Sequence, residues 1–507
     1  VSHYSRYTQL RVKRTAFSTA ALLVVASSLH AQQVTAVGNP PEKRERRAAA
    51  IDTTAAPEAA RKPAAVPDTR SMRFDERWDE PQTRGHWSDP LKYIPLNRNG
   101  SVWLTVGGQA RAREESSRAF QHDPSVNDDH VQSRVSLNAD VHIGRGDGPW
   151  SRFYGEVRDA QVYHRDLPGG VRTVDADRHD VQNLFAEAGL AKSFVRVGRQ
   201  EIAFGKERLV GVPDWANTRR GSQGVRAQSE FAGLLVDAAS VRPMVIRANA
   251  RNMPDSTTRL HALQLSKAST TAASSAWVPA QWTLYHYQLD VRGARSQRRL
   301  TYGGRSVWKR ALSGVGGPQL TVEGEAAIQR GSVGAERLHA WFAVAETQLQ
   351  WRRAWSAPAI LVGSDWASGD RSRNDGRAEA FHSLVPAAHA HGGYADVVGR
   401  PNVHEMRIVA TADPFGRAAL RAAFHRFDRR ALTDGVYNKQ NALWRAAGDS
   451  DVRHIADEID LTSSFKITRE LRLIAGYAWV LPGEFLKEQS TPHTTMRWGF
   501  VGTSYTF

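Results

Sequence analysis

The chain has 507 residues, a formal charge of +16 and no cysteine, which excludes disulfide frameworks, thiol catalysis and cysteine-based zinc or iron–sulfur sites. Of its 68 basic residues 11 are lysine and 57 arginine, so the positive charge is carried by guanidinium groups, which bind carboxylate or phosphate in bidentate fashion. At this length the chain holds either two or three ordinary domains or one large β architecture.

Residues 1–31 contain no acid and four bases (Arg6, Arg11, Lys13, Arg14), followed by the apolar run AFSTAALLVVASSL. A charged start and a short apolar run predict a signal peptide cleaved after Ala31, too short to be a membrane-spanning helix. Removing it leaves a charge of +12. Residues 32–75 are rich in Ala, Pro and mixed charge, and no aromatic occurs up to residue 72. Such a segment buries too little apolar surface to offset chain entropy and is predicted to be a disordered leader.

From residue 76 onward the pattern is strict alternation. In SRVSLNADVHIG, Val135, Leu137, Ala139, Val141 and Ile143 oppose Arg134, Ser136, Asn138, Asp140 and His142. In QLTVEGEAAIQ, Leu320, Val322, Gly324, Ala326 and Ile328 oppose Thr321, Glu323, Glu325, Ala327 and Gln329. Similar runs lie near 102–113, 151–160, 183–200, 231–240, 282–290, 299–309, 337–347, 357–366, 403–411, 418–428, 455–465, 470–480 and 497–507, with no stretch of 18 apolar residues between them. Period two gives each strand one apolar and one polar face. The apolar face is mostly Val, Leu, Ala, Ile and Gly, while the polar face carries charges of both signs. Lipid outside and a wet lumen inside fit those faces better than the core of a soluble sandwich does.

The mean hydropathy of −0.49 is then expected, because half of every strand meets water. Aromatics at strand ends (Trp103, Trp150, Tyr154, Trp282, Tyr302, Trp308, Trp351, Trp355, Trp479 and Trp498) are predicted to form interfacial girdles. Residues 101–507, at about 20 to 25 per strand with its loop, make roughly 16 to 20 strands, an even number, around an aqueous channel. The fold expected for residues 76–507 is therefore all-β: a transmembrane antiparallel β-barrel of about 18 strands in the outer membrane of a Gram-negative bacterium.

Several segments resemble the outer-membrane alginate export porin family over Leu91–Phe507. PLKYIPL followed by VGGQARARE, with Gly107, Gly108, Arg111 and Arg113, resembles its first strand. Gly198, Arg199, Gln200 and Glu201 match a Gly-Arg-Gln-Glu run, and Ala367–Asp370 match an Ala-Ser-Gly-Asp segment leading to Phe381, Leu384 and Pro386. RPNVHEMRI, DGVY (Asp434–Tyr437) and PGEFLKE (Pro482–Glu488) follow in the family's order. The chain departs at His382 and Val385, where the family has Asn and Phe, and at Glu114–Glu115, where it has Tyr-Glu. The resemblance implies an 18-stranded barrel with an arginine-lined, anion-selective lumen.

A polyuronate carries about one carboxylate per sugar and needs positive charge in its path. On the inward parity the candidates are Arg111, Arg113, Arg134, Arg152, Arg158, Arg196, Arg305, Arg407 and Arg421. Glu156, Glu323, Glu325, Glu458 and Asp460 share that face as counter-charges, so any single arginine is either an anion contact or a brace between strands. Catalytic patterns are thin. HEMRI at His404 lacks the second histidine of a metalloprotease, and the calcium-loop-like DRSRNDG at Asp370 has its glycine one residue late. The chain reads as a channel for anionic sugars or polysaccharide rather than an enzyme, with no cofactor, metal or nucleic-acid partner. The alternatives are a porin-like uptake channel for small organic solutes and an outer-membrane hydrolase.

MRWGFVGTSYTF at 496–507 reads as the strand that closes the barrel, with Gly499, Val501, Tyr505 and Phe507 facing lipid. Tyr505 and Phe507 resemble the sorting signal read by the barrel assembly machinery, and the other partner expected is outer-membrane lipid.

Overall fold

The computed structural model describes residues 72–76, 78–79, 85–144, 146–268, 279–312, 317–372, 374–387, 389 and 391–507. Eighteen strands form one closed antiparallel ring. They are β1 (Val102–Arg118), β2 (Asp128–Ile143), β3 (Pro149–Tyr163), β4 (Asp177–Leu190), β5 (Ser193–Gln200), β6 (Ser222–Phe231), β7 (Leu234–Val245), β8 (Thr258–Ala268) and β9 (Gln281–Val291). The second half comprises β10 (Gln297–Ala311), β11 (Gln319–Val333), β12 (Glu336–Gln350), β13 (Ala359–Ala367), β14 (Val403–Ala412), β15 (Ala418–Arg429), β16 (His454–Lys466), β17 (Leu471–Pro482) and β18 (Met496–Thr506). Each strand pairs with its sequence neighbours, and β18 pairs with β1 from Gln109 opposite Thr506 to Arg118 opposite Arg497.

The burial pattern is that of a protein turned inside out. Val135 and Leu137 are 49% and 53% exposed, whereas Arg134 and Asp140 on the other face of β2 are 2% and 4% exposed. Period-two alternation thus sends the aliphatic side chains outward, where only a bilayer can cover them, and the charged ones inward. Connections alternate in length. One end carries short turns such as 191–192, 232–233 and 467–470; the other carries the segments 201–221, 368–402 and 430–453.

The strands depart from the sequence reading in three ways. The run 183–200 is two strands, β4 and β5, reversed at Ala191–Lys192 with Ala191 at φ 48°; no glycine marks that turn. β6 and β8 complete the ring where no clean alternation shows. Among the expected girdle aromatics, Trp103, Tyr154 and Trp498 point inward, at 5%, 1% and 7% exposure, because Trp103 and Tyr154 share parity with the inward charges of their own strands and Trp498 with the inward Phe500 and Thr506. Tyr302 and Trp355, at 46% and 78%, face outward as expected. The signal segment 1–31 and most of the leader lie outside the described residues. The leader's last residues are ordered: Arg73–Asp75 form a 3-10 turn inside the barrel wall, with Phe74 set edge-on to Tyr154 and Phe185 at 5.7 and 5.3 Å.

The closing seam is built on two glycines. The N–H and C=O of Gly108 and Phe507 exchange hydrogen bonds of 3.0 Å, and the Phe507 ring lies over Gly108, where a Cβ would stand 2.8 Å from it. On the inner side, a Cβ at Gly107 would meet the Arg73 guanidinium at 2.9 Å. That guanidinium donates to the Phe507 carbonyl at 2.7 Å. Trp87 completes the packing with its ring 5.1 Å from Phe507 and its N–H donating to the Tyr505 hydroxyl at 2.7 Å. Gly108→Val should therefore force the ring off the seam and lower barrel stability by about 1–3 kcal/mol. Gly324→Ala, whose new Cβ has nothing closer than 3.9 Å, should leave it unchanged. The temperature at which the folded barrel loses its fast mobility on semi-native gels measures both.

Candidate functional site: a lumen narrowed by two loops

The segment 201–221, between β5 and β6, folds into the lumen. Its two ends are clamped by Arg219, which donates to both carboxylate oxygens of Glu201 at 2.7 and 2.8 Å. Its tip, Asp214–Asn217, is held by wall arginines. Arg111 donates to the carbonyls of Asp214, Trp215 and Ala216 at 2.8, 3.3 and 3.2 Å. Arg113 donates to Trp215 O at 2.9 Å and lies 3.7 Å over the Trp215 ring. Arg134 reaches the Asp214 carboxylate at 3.0 Å. The Asn217 amide, fully buried, reaches the carbonyl oxygens of Ser133, Gln161 and Asp175 at 2.9–3.0 Å.

A second segment, 368–402 between β13 and β14, enters from across the ring and joins the first. Gly211 N–H donates to Val385 O at 3.0 Å and Val385 N–H to Leu209 O at 2.8 Å, a parallel bridge between Val210 and Val385. His391 donates from Nε2 to Lys206 O at 2.6 Å. Burial, with Arg208 and Arg400 nearby, pushes that imidazole down to about 3, so it donates as the neutral tautomer. The second loop is fastened to the wall at Ala395 N–H, which donates to Glu458 at 2.7 Å, and at Tyr394 N–H, which donates to Asp460 at 3.2 Å. Trp215 packs between the loops and β18, 5.5 Å from Tyr394 and 4.6 Å from Phe500.

All nine arginines proposed from parity lie on the inner face, and their partners differ. Arg152 bonds Asp140 and Glu187, Arg158 bonds Glu156, and Arg196 bonds Glu187 at 2.9 Å while lying 4.3 Å over the Phe185 ring. Arg305 pairs with Glu323 at 2.8 Å, and Arg407 with Asp365 at 2.7 Å and with Glu346. Arg113 pairs with Glu115 at 2.6 Å. Arg421 is 3.5 Å from Asp460 and 29% exposed to the lumen. Glu325 receives a cation that the alternation does not reveal: Arg208, a loop residue 1% exposed in its side chain, reaches Glu323, Glu325 and Glu346 at 2.8, 2.6 and 3.0 Å. Lys206, Arg208, Arg219 and Arg400 sit in segments without periodicity; the sequence signal of the first three is the basic content of GKERLVGVPDWANTRRG, and Arg400 has no such signal.

Charge is balanced along most of the wall and unbalanced at the loop tip. Arg134 and Arg219 bind the Asp214 carboxylate, Arg219 holding Glu201 as well, and Arg111 beside them meets only neutral loop oxygens, so three guanidinium groups share two carboxylates. Its position deep in the barrel pushes the Asp214 carboxyl up, but Arg219, Arg134 and Arg111 outweigh this and hold it well below the ordinary carboxylate range.

Three of the sequence motifs meet at one latch. Asn402 of RPNV donates to the carbonyls of Ala431, Asp434 and Gly435 at 3.0–3.1 Å and accepts from Ala431 N–H at 2.7 Å. A Cβ on Gly369 of the Ala-Ser-Gly-Asp segment would lie 2.0 Å from the Asn402 side chain, so that position admits only glycine. The motifs thus fix loop geometry. Val385 takes part through its backbone, which is why a valine serves where the resemblance expected phenylalanine.

Toward the short-turn end the lumen opens into a cavity of about 620 Å³ bordered by Phe74, Trp103, Trp150, Arg152, Arg196 and Arg226.

A closed ring of tilted hairpins with an aliphatic exterior, a charged interior and loops folded inward defines an outer-membrane β-barrel channel. The alginate export family model matches residues 102–500, and the chain belongs to that family. No curated protein sequence matches the chain. Among solved structures it is similar to OccD3 (OpdP) of Pseudomonas aeruginosa, at 11% identity and a TM-score of 0.55, covering 80% of this chain and 91% of that one. It is similar also to OccK2 (OpdF) of the same organism in complex with glucuronate, at 12% identity and a TM-score of 0.55 over 83% and 99% of the two chains. The likeness to OpdK with vanillate is 10% in identity and 0.55 in TM-score, over 79% and 98%. At such identities the likeness is one of fold; outer-membrane barrels carry their short turns on the periplasmic side, which makes the end with turns 191–192 and 232–233 the periplasmic one.

The joint between the loops is testable. Val385→Pro removes the N–H that bonds Leu209, and single-channel recordings should show larger, noisier conductance as the loops part. Val385→Ala keeps that bond and should behave as the parent.

Proposed function

We propose that the barrel passes anionic sugars or polysaccharide, as in alginate-type export, acting as a passive channel and not as a hydrolase. One observation carries this reading: where the inward loop enters the lumen, Arg134 and Arg219 converge on the Asp214 carboxylate and Arg111, bonded only to neutral oxygens of the same loop, adds a cation beside them. A guanidinium cluster in a confined, partly dehydrated passage attracts carboxylates and repels cations. Arg421, loosely paired and partly exposed, is the second contact point for a passing carboxylate. The remaining arginines of the wall act mainly as braces, since each already holds an acid.

A second reading is uptake of small organic solutes. The two loops joined at Val210 and Val385 occupy part of the lumen, which favours a monosaccharide acid over a bulky chain; the OccK2 structure contains glucuronate and that of OpdK vanillate. Export to the membrane rests in this reading on a signal at 1–31, and insertion on recognition of Tyr505 and Phe507 by the barrel assembly machinery.

In planar bilayers under a salt gradient the reversal potential should show anion preference, and Arg111→Gln with Arg134→Gln should lower it at least about twofold. Cation preference in the parent protein would sink the proposal. Block of the current by oligouronates favours the polymer reading, and permeation by glucuronate without such block favours the second. Deleting Phe507 should reduce the inserted yield while the conductance of the inserted fraction stays the same.

A further inference from the structure

The outer face of the β11–β12 hairpin carries a cluster of basic side chains. Ile328 and Trp341, cross-strand partners at 44% and 38% exposure, belong to the lipid-facing surface. The next outward pair toward the extracellular end is Arg330 opposite His339, and Arg337 lies one outward position further on β12. Along a strand these steps are about 7 Å each, so the basic groups stand just beyond the aromatic level, at the depth of lipid headgroups.

Two further arginines join them. Arg377, in the short strand Arg377–Ala378 beside β12, is the parallel partner of Arg337, so two like charges face each other across a pairing. Such a placement is destabilising on its own. The Arg430 guanidinium lies 5.7 Å from the Trp341 ring centroid. Among the described residues none of these four arginines forms an ion pair with a carboxylate. Of the nearby acids, Glu336 pairs with Arg295 at 2.7 Å and Glu379 with Arg371 at 3.0 Å, while Asp375 accepts the backbone N–H of Arg377 at 2.8 Å. On the opposite side of the ring the outward Arg118 is paired with Asp129 at 2.8 Å.

We propose that this patch is a binding site for a phosphorylated glycolipid of the outer leaflet, whose headgroup phosphates are held by Arg330, Arg337, Arg377 and Arg430 while its acyl chains lie along Ile328 and Trp341. Guanidinium groups bind phosphate oxygens in bidentate fashion, and the clustering of four around an exposed indole matches an anion whose other end is apolar. The connection over this hairpin is only 334–335, and all four arginines are exposed.

The test uses the purified full-length barrel in neutral detergent, with bisphosphorylated lipid A and the same glycolipid stripped of both phosphates as probes. The phosphorylated form should bind at least about tenfold more tightly. R330Q/R337Q/R377Q/R430Q should abolish that difference and leave ion conductance unchanged, because none of the four faces the lumen. R118Q should retain the parent affinity. Should the quadruple variant fail to insert, R337Q and R377Q separately should each weaken binding about threefold or more. Equal binding of the two glycolipids, or full retention by these variants, would overturn the proposal. So would displacement of the lipid by an equal concentration of inorganic phosphate, which would mark a site for free anion instead.

Discussion

A backbone that crosses a bilayer must satisfy every N–H and C=O within the protein, and most of this structure follows from that demand. An open sheet leaves two edges unpaired, so β1 and β18 have to meet. Their meeting is more than a ladder of hydrogen bonds. Gly107 and Gly108 leave room on the two faces of β1, one for Arg73 and the other for the ring of Phe507. Closure then turns the polarity of the chain outward, since Leu137, Ile328 and Val501 can be covered only by lipid.

The interior answers a different requirement. Charged side chains lining a passage need partners, because an unpaired charge removed from water costs several kcal/mol. Along β3–β5 and β10–β14 the partners are acids on the same strand or on strands one or two away. Around Arg111 and Arg134 the wall supplies too few acids, and carbonyl oxygens of the 201–221 loop serve in their place. The inward fold of that loop and the local surplus of positive charge are therefore two aspects of one arrangement: Asp214 pairs with Arg134, while neutral acceptors hold Arg111 without cancelling its charge.

Much of the barrel was legible as alternation, because a two-residue period is a local property; β2 and β11 could be assigned face by face. Parity also held information that position at a strand end obscured: Trp103 shares parity with Arg111, Tyr154 with Glu156, and all of these are buried inside. The reversal at Ala191 left no trace, since neither Ala191 nor Lys192 is a turn residue. The narrowed lumen was not legible at all. Arg208 and Trp215 owe their roles to contacts with strands more than a hundred residues distant in sequence, such as β1, β11 and β12, and no periodicity encodes contacts of that kind.

The loop joint also has a mechanical meaning. The 201–221 segment leaves the ring after β5 and the 368–402 segment after β13, eight strands apart in a ring of eighteen and so almost diametrically opposed. Joined at Val210 and Val385, they form a strut across the cylinder. A single sheet of this circumference is stiff along its strands but compliant to flattening, because neighbouring strands pivot about their shared rows of hydrogen bonds. A strut tied to both walls opposes that ovalisation, so lateral pressure from the membrane is resisted across the bore as well as around the rim.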